Sequence, residues 1–120
     1  VTIFAYGAML HVAMQAAEKV KDKYSAEVVD LRTLSPLDIE TILESVKKTG
    51  RCVIVHEAPM SCGVGAELAA LLSDRDIMYM KAPIVRVTGF DAPMPLYKLE
   101  NYYLPNAGRV ISGIEKVMQF

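Results

Sequence analysis

His56-Glu57-Ala58-Pro59-Met60-Ser61-Cys62-Gly63-Val64-Gly65-Ala66-Glu67 brings a histidine, a thiol, two carboxylates and two glycines into one short stretch. A histidine beside a glutamate is the raw material of an acid–base dyad. Gly-x-Gly at the start of a helix offers free N–H groups to a phosphate. A cysteine near a helix start can have its thiol pKa lowered. Each reading has a plainer competitor. The third position of G-x-G-x-x-G is Leu68, so close helix–sheet packing accounts for the glycines better than a phosphate cradle does. His-Glu neighbours are more often a hydrogen-bonded core or interface pair. Cys62 reads as structural rather than nucleophilic, and Cys52 as a small buried apolar residue. His11 has no partner at metal spacing, and two isolated histidines cannot supply three or four ligands. No serine elbow, phosphate-binding P-loop or kinase signature occurs. The residues alone describe an α/β domain without a self-contained active site.

Bulk properties agree. The chain has 120 residues, which implies one domain over 1–120 with a real core. Hydrophobic residues make up 52% and charged residues 22%, with a net charge of -1. No basic excess is available for a nucleic-acid backbone. No apolar run approaches the roughly 20 residues of a membrane span. Cys52 and Cys62 suit a reducing compartment. Val1 already stands inside a strand-like run, which reads as a fragment of a longer chain, or as a mature or cut product.

The elements that must position these residues alternate. Val1–Tyr6, closed by Gly7, reads as a buried strand. A helix follows with Met9, Ala13, Ala16, Ala17, Val20 and Tyr24 at helical spacing. Glu27–Leu31 is a second strand. Ser35 before Pro36, with Asp38 three residues on, reads as a capped helix start. Ile39, Ile42, Leu43 and Val46 form its apolar stripe, and Lys47, Lys48 and Gly50 its end. Cys52–Val55 is the third strand, about 63–73 the third helix, and Ile84–Val87 the fourth strand. The Pro- and aromatic-rich segment Gly89–Pro105 is too long for a turn, and such loops are functional or packed on a neighbour. A last amphipathic helix carries Val110, Ile114 and Val117. The pattern predicts a three-layer α/β/α sandwich on a mainly parallel sheet.

The blocks FAYG, VVDLRTLSPLD, KKTGRCVIVHEAP, GVGAELAA, APIVRVTGFDAPMP and YYLPN run in that order along the chain. Together they resemble the transketolase C-terminal-like domain of the β chain of a thiamine-diphosphate-dependent 2-oxoacid dehydrogenase. HEAP and VTGFD echo the branched-chain type more closely than the pyruvate type. The resemblance implies strand order 2-1-3-4. It also implies an antiparallel strand just before the position of Val1, whose absence would leave Glu27–Leu31 as an open edge. Edge-to-edge pairing of two copies is then expected, weakened by Glu27 and Asp30.

The resemblance further implies that thiamine diphosphate and magnesium are held elsewhere in the parent enzyme. This chain would be inactive alone, with no catalytic, cofactor-binding or metal-binding residue of its own. Its role would be packing with an α chain and a second β chain in an α2β2 assembly, and docking the subunit-binding domain of a dihydrolipoyl acyltransferase. The implied interface residues are His56, Glu57, Asp91, Pro93, Pro95 and Phe120. The compartment would be the cytoplasm of a prokaryote or the mitochondrial matrix of a eukaryote. A second function class stays open: a free-standing domain binding a nucleotide or anion near Gly63–Gly65, in the crevice beside Gly7 and His56.

Overall fold

A computed structural model describes residues 1–120. Four strands, β1 (Thr2–Ala5), β2 (Glu27–Asp30), β3 (Cys52–Pro59) and β4 (Val85–Gly89), form one parallel sheet in the order β2-β1-β3-β4. Parallel neighbours require crossovers, and helices provide them: α1 (Ala8–Val20), α2 (Ile39–Thr49) and α3 (Val64–Arg75). A one-turn helix α4 (Glu100–Tyr103) and a final helix α5 (Ala107–Met118) complete the chain.

Both sheet faces are covered, so the central strands are apolar at consecutive positions rather than alternating. Every residue of β1 and the first five of β3 are buried. Ile3, Ala5, Val53, Val55 and Val87 face α1 and α5, meeting Ala13, Ala16, Val110 and Ile114. Phe4, Cys52 and Ile54 face the other way, onto Ile42 and Val46 of α2 and Leu68 and Leu72 of α3. Side chains two apart on a strand share a face, and that period divides the core into two layers. Each fully buried Phe, Ile or Leu contributes about 1.5–3 kcal/mol.

The expected sandwich and strand order are therefore present, with three local corrections. Helix α2 is capped by Asp38, not Ser35: Asp38 Oδ1 accepts from the Thr41 N–H at 3.1 Å and Oδ2 from the Thr41 hydroxyl at 2.8 Å. Ser35 and Pro36 lie instead in a turn whose flanks, Leu34 and Leu37, form a single bridge, so helical bonding starts only afterwards. The helix ends as expected, on Gly50 at φ 71°, whose N–H donates to the Val46 carbonyl at 2.7 Å. Strand β3 continues four residues past Val55, through a register shift that lets Pro59 pair with Gly89. The Pro- and aromatic-rich segment holds a helical turn, α4, that polarity and proline content obscure.

Strand β2 is an outer strand, as expected. Its edge borders a groove of about 700 Å³ against α1, floored by Leu10, Met14, Ala17 and Val28 and rimmed by charges of both signs.

Candidate functional site

The extra residues of β3 decide what the histidine does. His56 has no solvent-accessible surface. The Gly65 N–H donates to its Nε2 at 3.1 Å. Nε2 is thus the unprotonated nitrogen, and Nδ1–H donates to the Ala58 carbonyl at 3.1 Å. Tyr6 stacks alongside, ring centroids 6.1 Å apart. Burial holds the imidazole pKa below its usual value, Arg86 adds to that, and the Ala58 contact opposes it. With both nitrogens engaged and no opening to solvent, the ring cannot take a proton from a substrate.

The two glycines exist for this ring. A Cβ at Gly63 would stand 2.6 Å from the Pro59 carbonyl oxygen and 2.8 Å from His56 Cε1. A Cβ at Gly65 would overlap Nε2 and stand 2.9 Å from Cδ2. The N–H that a phosphate would need at Gly65 is already given to the histidine, so the Gly-x-Gly stretch is no open anion cradle. No three His, Cys, Asp or Glu side chains converge to hold a metal ion. These residues do not fit a magnesium–diphosphate group.

Glu57 does not pair with His56; strand alternation turns it out to solvent. It lies near Tyr6, whose hydroxyl pKa is raised by burial and further by this carboxylate. The loop between β3 and α3 is tied to the end of β4 by Asp91. The Asp91 carboxylate accepts from the Ser61 N–H at 2.9 Å and the Ser61 hydroxyl at 2.7 Å, and these bonds hold its pKa below the usual range. Arg86 donates to the Met60 carbonyl at 2.9 Å from the same side. Cys62 is exposed in this loop, whereas burial pushes the Cys52 thiol up to about 12. His11 sits exposed on α1.

Beyond Asp91 the chain builds an aromatic surface. Arg109 of α5 donates to the Thr88 carbonyl at 2.6 Å and the Tyr103 carbonyl at 3.4 Å, and lies 4.9 Å above the Phe90 ring. The Tyr103 hydroxyl donates to the Phe90 carbonyl at 2.9 Å, and Gly89 leaves the room that the Tyr103 ring fills. On this frame Phe90, Pro93, Pro95, Leu99 and Tyr102 line a shallow hollow of about 360 Å³.

Glu57, Asp91, Pro93 and Pro95 are thus gathered at the carboxyl end of the sheet, with His56 sealed beneath them. Phe120 is exposed but lies at the other end. There α5 finishes, and Arg51, at the start of β3, donates to the Val117 carbonyl at 2.9 Å. Phe90, Leu96, Tyr97 and Tyr102 are exposed on this surface, and the sequence marks them only through the density of aromatics and prolines between Gly89 and Pro105.

The family model described as "Transketolase, C-terminal domain" matches residues 1–110. The pyruvate dehydrogenase E1 component subunit beta of Staphylococcus epidermidis is 46% identical over 121 aligned positions, covering 100% of this chain and 37% of that protein. The subunit of the same name from Staphylococcus aureus matches with the same identity and coverage. The chain therefore spans little more than a third of the length of these relatives. Among solved structures, a chain described as "Split gene transketolase, inactive beta4 tetramer" superposes with a TM-score of 0.84 at 31% identity, over 98% of this chain and 38% of that one.

Proposed function

Since the chain belongs to the transketolase C-terminal domain family, we propose that it is the non-catalytic assembly domain of the β subunit of a thiamine-diphosphate-dependent 2-oxoacid dehydrogenase. One observation carries this reading. The chain's single cluster of catalytic-type side chains is closed on itself: His56 spends both nitrogens on its own backbone and fills the space above Gly63 and Gly65. What faces outward at that end is an apolar surface suited to another chain. We take pyruvate, the substrate named by the staphylococcal relatives, as the 2-oxoacid, over the branched-chain acids that HEAP and VTGFD suggest. The partners in this reading are an α chain and a second β chain. Exposed Phe120 is an apolar anchor for the subunit-binding domain of the acyltransferase that receives the acyl group.

The rival reading, an anion or nucleotide site at Gly63–Gly65, is disfavoured because the Gly65 N–H and the space before it are taken. The test is reconstitution. The chain is mixed with an α chain and the cofactor-binding part of a β subunit, and pyruvate decarboxylation is followed by dye reduction. Activity that requires all three supports the proposal. Activity without this chain, or thiamine diphosphate binding by this chain alone in calorimetry, overturns it.

A further inference from the structure

Strand β4 forms the second edge of the sheet. It is hydrogen-bonded to β3 alone, so the N–H and C=O groups on its other side have no strand partner. Arg109 caps one of them, donating to the Thr88 carbonyl at 2.6 Å. Neither loop backbone nor any side chain bonds a backbone group of Val85, Arg86 or Val87. Beside this edge runs a groove of about 280 Å³ between β4 and α5. Gly113 brings the helix down onto the strand: a Cβ there would stand 3.0 Å from Val87 Cγ2 and 3.3 Å from Val85 Cγ1. Arg109, Ser112 and Lys116 are spaced three and four apart on α5, so they share the face that walls the groove.

The charge along this edge has one sign. Val85 and Val87 pack into the layer beneath α5, so strand alternation turns Arg86 to the opposite face. There it donates to the Met60 carbonyl at 2.9 Å. Cations therefore flank the edge on both faces. Carbonyls accept the hydrogen bonds of Arg86 and Arg109 without cancelling their charge, and neither arginine nor Lys116 makes an ion pair. No Asp or Glu lines the groove, although the chain has fourteen acidic residues to thirteen basic ones. The opposite edge, β2, carries Glu27 and Asp30 instead.

Going beyond the assembly reading and independent of it, we propose that the β4 edge binds an acidic, extended segment of another protein, which joins the sheet as an added strand. Main-chain hydrogen bonds to the open edge supply affinity, and side chains at every second position supply selectivity. A strand turns alternate residues to one face, so carboxylates spaced by two reach Arg109, Ser112 and Lys116 together. A free phosphate would answer the charges and leave the edge unpaired. Charged residues that merely guard an edge against pairing would bind nothing.

The probe is a dye-labelled peptide of about eight alternating valine and glutamate residues, titrated with the 120-residue chain at low ionic strength and followed by fluorescence anisotropy. It should bind, and added salt should weaken it. Ser112 and Lys116 are exposed, so Ser112→Asp and Lys116→Glu should keep the wild-type melting temperature while each weakens binding about fivefold. The same peptide methylated at every backbone nitrogen keeps its carboxylates but cannot donate, and should lose about tenfold or more. Hydrogen exchange of the complex should slow at Val85–Gly89 and stay unchanged at Glu27–Asp30. No binding at about 100 µM chain would leave the cations as edge guards only and overturn the proposal. Equal affinity for the methylated peptide, or full displacement by equimolar inorganic phosphate, would reduce the site to a charge contact and overturn it as well. So would protection at β2 in place of β4, or a valine–lysine peptide that binds as tightly.

Discussion

Gly65 and His56, on different elements, share one volume: the Gly65 N–H donates to His56 Nε2 at 3.1 Å, and a methyl on Gly65 would lie inside the contact distance of the ring. The glycine is the histidine's pocket wall. Gly65→Ala should therefore destabilise the chain by about 1–3 kcal/mol through overpacking, even though alanine is the better helix former by about 0.5–1 kcal/mol. In a His56→Ala background the same change should cost much less, because the ring is gone. Urea unfolding of the four-member cycle measures this coupling; additive effects would show that the ring is not what excludes the Cβ.

The same contact makes stability depend on pH. The folded-state pKa of His56 is lowered, so between the folded value and the unfolded value near 6.5 the unfolded chain binds more protons. The contribution is complete above about pH 6.5 and is lost as pH falls through that window. Asp38 and Asp91, also lowered, act only further down, below their ordinary value of 3.8. Denaturation midpoints at pH 7.5 and 5.5 should differ in the wild type more than in His56→Gln, which cannot titrate. Equal differences would place the sensitivity elsewhere.

Arg109 holds the aromatic segment to the sheet with two carbonyl acceptors and the Phe90 ring. Arg109→Met should cost about 1.5–3 kcal/mol, the range for hydrogen bonds from a charged donor. Arg109→Lys should recover only part, since an ammonium cannot reproduce the planar fork. Thermal unfolding gives the loss, and hydrogen exchange should accelerate between Phe90 and Leu104 before the core strands open.

The cap of α2 separates two neighbouring residues. Asp38→Ala removes the acceptor of the Thr41 N–H and should lower stability, with the helix's first turn losing exchange protection. Ser35→Ala should leave both unchanged. The reverse pattern would return the cap to Ser35.

The two thiols should react differently. Cys62 is exposed and should alkylate in the native chain, while Cys52, buried with its pKa at about 12, should react only on unfolding. Mass spectrometry after brief iodoacetamide treatment distinguishes them.

What the sequence determined by itself is what acts over a few residues. Consecutive apolar runs marked strands buried on both faces, helical spacing marked α1, α2 and α5, and Lys47-Lys48-Thr49-Gly50 marked a helix end. These follow from side-chain period and from glycine's access to positive φ. Strand order came from resemblance to a family rather than from any local pattern. The choice of Asp38 over Ser35 needed the three-dimensional turn at Leu34–Leu37, because both residues satisfy the local capping rule. The meaning of HEAPMSCGVG needed β3 and α3 side by side, since only then does a histidine fill the space left by glycines seven and nine residues later. Only the tertiary structure brought Glu57, Asp91, Pro93 and Pro95 to one end of the sheet and sent Phe120 to the other. Helices α1 to α3 return the chain to the start of the next strand, so strand carboxyl ends share one pole. Helix α5 has no strand to follow, and it carries the chain's last residues to the opposite pole.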